Sequence, residues 1–485
     1  MKHKSQFNNH SSLITHNSSL NQSIEVEPWT PTEDLINLFR PLSKNPYAFL
    51  IYHERYCMMG HEPFLVFTSK GNKVNIQTRE STRSFFCSDP LNELKAKFLE
   101  HLRPYSDQPF FQGGLVGYFG YDLGRMWESI PSVASDHQGL PDILAAFYDR
   151  AYLYDRFQKK GMLIAIPIFQ ENPSQVITKL KTLKACLSEE KTTHFLSNDG
   201  HVNQSFISNF TKEAYLEAIR KAKSYIAQGD IYQVNLSQRF ATTYNGKPFP
   251  LFKKLIEKNP APYASFFHAP DHTLLSLSPE RFLRIEDKFI QTCPIKGTRP
   301  RSNILTDDLA LKLDLLTSPK DAAELLMIVD LERNDLGKVC EYGSVHVADA
   351  KRIEEHPTVF HLVGTVEGKL RDELTHFDCL RATFPGGSIT GAPKIRAMQI
   401  IEELEHTRRN IYTGALGYLG FNGITDLSIL IRTLVQRQHQ ISFQVGSGIV
   451  SDSDPESEYL ETLAKGKTFF DVLGPKDVHV TVQNP

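Results

Sequence analysis

Residues 291–300 read QTCPIKGTRP, a stretch in which Lys296 stands between an apolar residue and a glycine–threonine turn. Taken alone, a turn lysine of this kind is usually a solvated surface residue. The stretches on either side of it along the chain carry isolated carboxylates, glycine-rich turns and an arginine within an apolar run. Lys296 is therefore interpreted together with those neighbours.

The composition is that of an ordinary globular protein. The chain has 485 residues, of which 40% are hydrophobic and 23% charged, and its formal net charge at pH 7 is −2. This length predicts two folded units, or one large composite, with a sizeable core. The near-neutral charge argues against nucleic acid as a partner, and no apolar run is long enough to predict a membrane-spanning helix. Substrates and partners have to be inferred from local motifs.

Cysteine spacing and the amino-terminal segment indicate an intracellular chain. The cysteines form no CxxC motif and no Cys/His cluster, so neither a disulfide framework nor a zinc site is expected. Residues 1–25 are rich in Asn and Ser and lack the apolar segment of a signal peptide, which predicts a mobile polar tail. We therefore expect a cytoplasmic protein. The cysteines are Cys57, Cys87, Cys186, Cys293, Cys340 and Cys379.

A polar, turn-rich stretch divides the chain into two halves. Residues 26–190 mix short strand-like runs with amphipathic helical patterns, and residues 191–207 are expected to be a linker. Residues 208–474 carry most of the motifs, and residues 475–485 are expected to form a carboxy-terminal tail. No internal repeat relates the two halves.

Two predicted helices carry paired carboxylates. The first has a serine N-cap followed by proline, and ends at a glycine. Carboxylates three residues apart share one helix face, where they are usually solvated. Two such pairs can also hold a hard cation together, because Mg²⁺ needs only one or two carboxylates and keeps water for its other positions. The pairs are Asp321 and Glu324 on the helix at 318–337, and Glu458 and Glu461 on the helix at 454–473.

A strand predicted at residues 231–240 alternates with period two, which places Gln233, Asn235 and Ser237 on one face. Solvent exposure explains this polar face as well as a binding site does. The glycines around Ser447, at 446 and 448, close another apolar strand and would expose backbone N–H groups that can bind an anion.

Two charged residues stand inside apolar strand patterns. Glu280 precedes Lys296 by 16 residues, so a turn between two strands can bring the acid and the lysine across one cleft. An edge-strand charge is the alternative for Glu280. Arg432 lies in the apolar run 426–435, and a buried guanidinium requires a carboxylate or phosphate partner. That partner is either an internal carboxylate or an anionic ligand.

Six motifs in the second half resemble those of the chorismate-utilising enzymes, a family that includes anthranilate, isochorismate, salicylate and aminodeoxychorismate synthases. The first half is also similar to that of the anthranilate and aminodeoxychorismate branches, through PYAFLIY (46–52) and GGLVGYFGYDLGR (113–125). The six motifs are GDIYQVNLSQR (229–239), SPERF (278–282), PIKGTRPR (294–301), AELLMIVDLERNDLG (323–337), FPGGSITGAPKIRAM (384–398) and GSGIVSDSDPESEYLET (446–462).

The resemblance implies an α+β fold in which two antiparallel β-sheets pack as a sandwich, flanked by helices, with strands from both halves. Two positions indicate the chemistry. Gln233 stands where the isochorismate-type enzymes carry the lysine that activates water. Lys296 stands where the anthranilate synthases carry alanine. The resemblance therefore points to the branch that aminates chorismate at C4, for 4-aminobenzoate and folate synthesis. Anthranilate synthase component I is the alternative enzyme, and a non-catalytic module that keeps the fold is a second alternative.

The same resemblance implies roles for single residues. Lys296 is expected to attack C2 of chorismate while the C4 hydroxyl departs, and Glu280 is expected to be the general acid for that hydroxyl. His361 matches a histidine near the substrate ring, as either an acid–base group or an orienting one. The expected Mg²⁺ ligands are Glu324 and Glu461, with Glu458 acting through a water and Asp321 less clearly placed. The expected substrate-binding residues are Gln233, Gly297, Thr298, Tyr412, Arg432, Gly446, Ser447 and Gly448.

Two further partners follow from the resemblance. None of the cysteines lies in the Gly-x-Cys-x-Gly turn of a glutamine amidotransferase, so ammonia is expected from a separate amidotransferase subunit. Some relatives also bind tryptophan between their halves, and part of that lining matches here. His53 departs from the serine expected at its position, which weakens the case for tryptophan. The matching residues are Ser43, Leu50, Ile51, Tyr52, His53, Pro262, Tyr263 and Ala264.

Overall fold

The computed structural model describes residues 24–104, 111–168, 171–189, 205–474 and 481–482. Most of the segment 1–25, the linker 191–207 and the tail 475–485 lies outside these residues. The first described strand begins at Glu25 and the last is Thr481–Val482, so the ordered chain enters both expected tails.

Two large sheets form the centre of the molecule. Within the first, the strand order is β1-β10-β9-β3-β2-β13-β14-β23-β24-β12-β11-β25, and β20 pairs with β12. The first sheet contains β1 (Glu25–Pro28), β2 (Ala48–His53), β3 (Tyr56–Gly60), β9 (Arg150–Asp155), β10 (Lys160–Ala165), β11 (Ile207–Ser208), β12 (Gln233–Thr243), β13 (Tyr263–His268), β14 (Thr273–Ser278), β20 (Gly391–Ala392), β23 (Thr433–Arg437), β24 (Gln440–Ile449) and β25 (Thr481–Val482).

The second sheet has the order β17-β19-β16-β15-β22-β21-β7-β8-β4-β5-β6, and β18 also pairs with β19. Its strands are β4 (Leu65–Lys70), β5 (Lys73–Thr78), β6 (Thr82–Phe86), β7 (Gly114–Phe119), β8 (Ile143–Tyr148), β15 (Arg281–Glu286), β16 (Phe289–Thr292), β17 (Ile295–Pro300), β18 (His346–Glu355), β19 (Val359–Lys369), β21 (Ala415–Gly420) and β22 (Ile424–Ile429). Apart from the parallel pair β11–β25, the described ladders are antiparallel.

Both halves of the chain contribute strands to both sheets. In the first sheet β2 pairs with β13, with His53 opposite Tyr263. In the second sheet β7 pairs with β21, with Phe119 opposite Ala415. The expected linker therefore separates two stretches of sequence whose strands are hydrogen-bonded to each other.

Helices cover the outer faces of the sandwich. An apolar core that includes Phe49, Ile51, Val116 and Leu416 lies between the sheets, and further cores lie between each sheet and its helices. The predicted α+β sandwich is confirmed. The helices are α1 (Leu35–Phe39), α2 (Pro90–Leu99), α3 (Pro173–Leu187), α4 (Lys212–Ala227), α5 (Pro248–Lys258), α6 (Leu305–Thr317), α7 (Pro319–Gly337), α8 (His376–Thr383), α9 (Lys394–Leu404) and α10 (Pro455–Leu473), with 3-10 turns at Leu42–Lys44, Tyr121–Met126 and Gly387–Ile389.

The two helices expected to carry paired carboxylates form with their predicted ends. The Ser318 side chain accepts a hydrogen bond from the Asp321 amide, with Pro319 in the first turn, so α7 has the expected cap. The Asp454 side chain caps α10 in the same way, through the Ser457 amide. No helix in the described part of the chain is long and apolar enough to cross a lipid bilayer.

Candidate active site

Lys296 lies on β17, where the ladder with β19 is interrupted between Ile295 and Thr298. Gly297 has a φ of +78°, in the left-handed region that favours glycine. A Cβ at this glycine would lie 2.8 Å from Asp321 Oδ1, so the bend also depends on the absence of a side chain. This bulge changes the direction of the strand at Lys296, as bulges beside active sites often do.

Three carboxylates surround the Lys296 amine. Its side chain is only 13% exposed, and its Nζ lies 3.7 Å from Glu324 Oε2 on α7. Burial lowers the pKa of Lys296, although Glu324, Glu280 and Glu461 each oppose that shift by stabilising the ammonium. Burial therefore outweighs the carboxylates, and a larger fraction of the lysine is a neutral, nucleophilic amine than in water.

Glu280 lies in the connection between β14 and β15 and is 4% exposed. Its Oε1 accepts hydrogen bonds from Ser388 Oγ at 2.7 Å and from the Ile295 amide at 3.4 Å. Burial raises the pKa of Glu280 to about 7, although Ser388, Ile295 and Lys296 act in the opposite direction. A substantial protonated fraction at neutral pH is what a general acid requires.

Gln233 and Gly448 lie beside Lys296, where β12 meets β24. A Cβ added to Gly448 would lie 2.9 Å from Lys296 Nζ and 3.1 Å from Gln233 Nε2, so the lysine occupies the space that a side chain would fill. Gln233 is fully buried, and neither polar atom of its amide has a hydrogen-bond partner within the described ranges. Buried amides are normally paired, so this one is available to a ligand.

Arg432 does not lie inside a strand, contrary to the prediction. It has a φ of +49° and forms the bend between β22 and β23. Burial lowers the pKa of its guanidinium, and among the residues that the structure describes it forms no ion pair. The internal salt bridge considered from the sequence is therefore absent from the described part, and a buried guanidinium without a partner favours an anionic ligand.

His361 on β19 lies beside Thr298 on β17. The Thr298 Oγ1 and His361 Nδ1 atoms are 3.0 Å apart. Burial, together with the positive charge of Arg432 and a neighbouring His356, lowers the pKa of His361 to about 3. The imidazole is therefore neutral at physiological pH, which favours an orienting role over that of a proton donor.

The remaining predicted substrate residues take different positions. Gly446 and Ser447 lie within β24, opposite Ser237 and Leu236 of β12. The ladder from β24 to β23 ends at Phe443, which leaves this part of β24 without a described partner strand on that side. Tyr412 is buried, and its ring lies 5.5 Å from the Arg409 guanidinium. Among the contacts of the described residues, neither the Ser447 nor the Tyr412 side chain touches Lys296, so any role of theirs in binding is at a distance from the lysine.

Two of the predicted metal ligands interact with Lys296. Glu324 and Glu461 both stabilise its ammonium, whereas Glu458 accepts a hydrogen bond from Ser453 at 2.6 Å. Asp321 is paired with Arg299 instead, at 3.0 Å. Within the described ranges no three His, Cys, Asp or Glu residues are arranged to hold a metal. Glu324 on α7 and Glu461 on α10 both act on the charge of Lys296, and two carboxylates are the number that suits Mg²⁺, which completes its shell with water and substrate oxygens.

Two residues that the sequence reasoning missed complete the site. Lys465 is one helical turn after Glu461 on α10; its Nζ lies 2.7 Å from Glu461 Oε1, and it donates to the Gly446 carbonyl at 2.9 Å. Its charge also favours the neutral amine of Lys296. The spacing of four residues from Glu461 was the available signal for Lys465. Ser388 binds Glu280, and no local pattern distinguishes it from a turn serine.

Six of the eight residues compared with a tryptophan site lie on the paired strands β2 and β13, but they do not all face one space. Tyr52 lies opposite Ala264, and a cavity of about 210 Å³ between the sheets is lined by Ile51 and His53, among others. Leu50 and Ala264 belong instead to the core beneath the outer helices. The His53 ring lies 5.0 Å from that of Tyr263, and its Nδ1 lies 3.5 Å from Asp426 Oδ2, so it projects an ion-pairing group into this region. Ser43 donates to Arg40 O, and Pro262 precedes β13.

Comparisons with known proteins identify the family of this chain. The family model described as chorismate binding enzyme matches residues 53–471. The chain is 39% identical over 457 residues to aminodeoxychorismate synthase component 1 of Salmonella typhimurium, covering 92% of this chain and 97% of the relative. It is 36% identical over 461 residues to anthranilate synthase component 1 of Acetivibrio thermocellus, covering 91% and 93%.

A solved structure shows the same fold. The crystal structure of anthranilate synthase component I from Streptococcus pneumoniae superposes with a TM-score of 0.75 at 30% sequence identity, over 85% of this chain and 91% of that one. The sandwich fold is thus accompanied by a family match that spans most of the chain. The chain belongs to the chorismate-binding enzymes.

Proposed function

We propose that this chain is an aminodeoxychorismate synthase component I, which converts chorismate and ammonia to 4-amino-4-deoxychorismate for 4-aminobenzoate and folate synthesis. The observation that carries the proposal is the largely buried Lys296 amine, which lies 3.7 Å from Glu324 and interacts with the charge of Glu280. The amide of the adjacent Ile295 donates to Glu280 at 3.4 Å, so the two groups are neighbours. A nucleophile and a general acid close to each other are what the displacement of a ring hydroxyl requires.

In the first step, the neutral Lys296 amine forms a bond to C2 of chorismate. Both ring double bonds shift, from C1=C2 to C1=C6 and from C5=C6 to C4=C5, so that the bond from C4 to its hydroxyl breaks. Glu280 donates the proton that lets this hydroxyl leave as water. Burial supports both roles, because it lowers the pKa of Lys296 and raises that of Glu280 to about 7. Both shifts favour the protonation states that the step needs.

In the second step, ammonia forms a bond to C4 and both ring double bonds shift back. The bond from C2 to Lys296 then breaks, which restores the free amine. The carboxylate of Glu280 left by the first step takes up a proton released from the new ammonium group. The net reaction exchanges the C4 hydroxyl for an amino group and releases one water.

The anionic groups of chorismate require positive partners. Arg432, with a buried guanidinium and no ion pair within the described ranges, would bind the enolpyruvyl carboxylate together with backbone amides of residues 446–448. The neutral His361 would orient the ring through a hydrogen bond. Glu324 and Glu461 would hold Mg²⁺, with Glu458 reaching it through water. When bound, this ion supplies the positive charge that offsets the ring carboxylate.

A separate glutamine amidotransferase subunit would supply the ammonia, as the name component 1 of the relatives suggests. Anthranilate synthase component I is the second candidate, since relatives of that name match over a similar length. Lys296 argues against anthranilate synthase activity, because the anthranilate synthases carry alanine at the position of Lys296. Tryptophan is an additional ligand to test at the joint of β2 and β13.

The product identifies the branch. The purified chain is incubated with chorismate, Mg²⁺ and ammonium, then with 4-amino-4-deoxychorismate lyase, and the aromatic product is identified by mass and chromatography. We expect 4-aminobenzoate from the wild type and a loss of at least about a hundredfold in rate for Lys296→Ala. Anthranilate from the wild type would assign the chain to the other branch. An undiminished rate for Lys296→Ala would refute the covalent step.

A further inference from the structure

A short turn lies directly behind the Glu280 carboxyl. It is the 3-10 turn Gly387–Ile389, and its Ser388 is 6% exposed. Ser388 Oγ donates to Glu280 Oε1 at 2.7 Å, which is the shorter of the two hydrogen bonds that this carboxyl accepts. A buried hydroxyl at this distance makes a short, strong contact with a carboxylate.

Helix α7 fixes the other side of the same turn. Glu332 Oε1 accepts the Gly387 amide at 3.1 Å, and Glu332 itself is 3% exposed. Thr390 Oγ1 also donates to the Gly386 carbonyl at 2.8 Å. The turn that carries Ser388 is therefore held from both ends, which leaves the serine hydroxyl little freedom relative to Glu280.

Both donors to Glu280 use the same oxygen. Ser388 and the Ile295 amide converge on Oε1, and Oε2 accepts no hydrogen bond within the described ranges. An oxygen that already accepts two hydrogen bonds is a poor site for the acid proton of a neutral carboxyl. That proton therefore belongs on Oε2.

We propose that Ser388 is a positioning residue that occupies Oε1 of Glu280 and so leaves Oε2 as the oxygen that donates the proton to the departing hydroxyl. This inference rests on the proposed function, since it assigns a purpose to the general acid of that reaction. Ser388 touches neither Lys296 nor any predicted substrate-binding residue in the described contacts, so it acts through Glu280 alone.

The charged groups around Glu280 determine the pH dependence. Lys296 and Lys465 stabilise its carboxylate, and the carboxyl of Glu332 lies close enough to interact with it unfavourably. The hydroxyl of Ser388 also favours the carboxylate over the acid. Removing that hydroxyl should therefore raise the pKa of Glu280. It should also allow the acid proton to occupy either carboxyl oxygen instead of Oε2 alone.

The test compares Ser388→Ala with Ser388→Thr in the ammonia-dependent reaction. We expect Ser388→Ala to lower kcat about tenfold with KM for chorismate changed less than about twofold, and to move the alkaline limb of kcat upward by about one pH unit. Ser388→Thr keeps the hydroxyl and should restore most of both. Ser208→Ala is the matched control, because it removes a buried serine hydroxyl on β11 that binds Gln238.

A double variant separates positioning from a folding defect. In the Glu280→Gln background, Ser388→Ala should cause no further fall in kcat, because the residue through which it acts has lost its proton. An additive fall, or an unchanged pH profile with Ser388→Ala, would overturn the inference. A wild type that aminates chorismate at a carbon other than C4 would instead refute the proposed function. The Ser388 variants could then still be compared by their rates of chorismate consumption.

Discussion

Replacing Glu280 by Gln should make the fold more stable at alkaline pH while it removes the acid from the reaction. Glutamine has nearly the same shape, and its carbonyl oxygen can still accept the bonds from Ser388 and Ile295. The wild-type carboxyl, by contrast, has to ionise in a site where burial raises its pKa from the ordinary 4.5 to about 7. The substitution removes that cost.

The magnitude follows from the two pKa values. Below pH 4.5 the carboxyl is protonated in both the folded and the unfolded chain, so it contributes no pH-dependent term. Between pH 4.5 and 7 only the unfolded chain ionises, and the free energy of unfolding falls until the folded carboxyl ionises too. At about 1.4 kcal/mol per pH unit, the full loss is about 3 kcal/mol. The advantage of Glu280→Gln over wild type should therefore grow by about 2 to 3 kcal/mol between pH 5 and pH 8.

Denaturant unfolding at the two pH values measures this difference directly. All other titrating groups are common to both proteins and cancel in the comparison. Glu80→Gln is the control, because Glu80 is exposed and its replacement should give the same small difference at both pH values. Activity of Glu280→Gln should fall at least about a hundredfold at every pH. An advantage that does not change between pH 5 and pH 8 would show that Glu280 ionises normally in the folded protein and would refute the reasoning.

Four further substitutions test the site. Gly297→Ala should destabilise the protein by about 2 kcal/mol more than Gly229→Ala, as measured by denaturant unfolding. Both glycines have φ near +80°, but only at Gly297 would a Cβ meet other atoms. Lys465→Met should raise the pKa of the nucleophilic lysine and shift the acidic limb of kcat/KM upward, whereas an unshifted limb would exclude that electrostatic role. Arg432→Met should raise KM for chorismate at least about tenfold with a smaller change in kcat, and equal losses in both would argue against a role in ground-state binding. Glu324→Gln should increase the Mg²⁺ concentration needed for half-maximal activity, and an unchanged requirement would remove Glu324 from the ligand set.

Local sequence signals were sufficient for the helices that carry the carboxylates. The capping serine, the proline after it and the final glycine bounded α7 correctly, since these residues act on the backbone next to them. The spacing of 16 residues allows Glu280 to lie near Lys296, whereas the placement of Glu324 there follows only from the resemblance to a family. Local patterns do not predict pairing between distant strands: His53 and Tyr263 are placed together only by the resemblance, because the completed sheet is what joins them.

One wrong prediction and one alternative that the sequence left open have physical causes. Arg432 looked like a strand residue because the run around it is apolar, yet its φ of +49° is imposed by the bend between two strands. The polar face of β12 could equally have been solvated, and it is buried instead. Ser237, for example, donates to Glu405, which in turn is paired with the fully buried Arg409. Alternation of polar and apolar residues shows that the two faces of a strand differ. It does not show whether the polar face contacts solvent or a buried ion pair.

The sharing of both sheets between the two halves affects how the chain is made. A ribosome produces β2 and β7 long before β13 and β21, the strands that complete their ladders. Until residues 263–268 and 415–420 have emerged, the nascent amino-terminal half has two open, apolar strand edges. Such edges pair readily with other chains, and long-range β pairing is slow. We therefore expect the amino-terminal half to need molecular chaperones while it is being made, and a chain that ends after the linker to aggregate instead of folding as a domain.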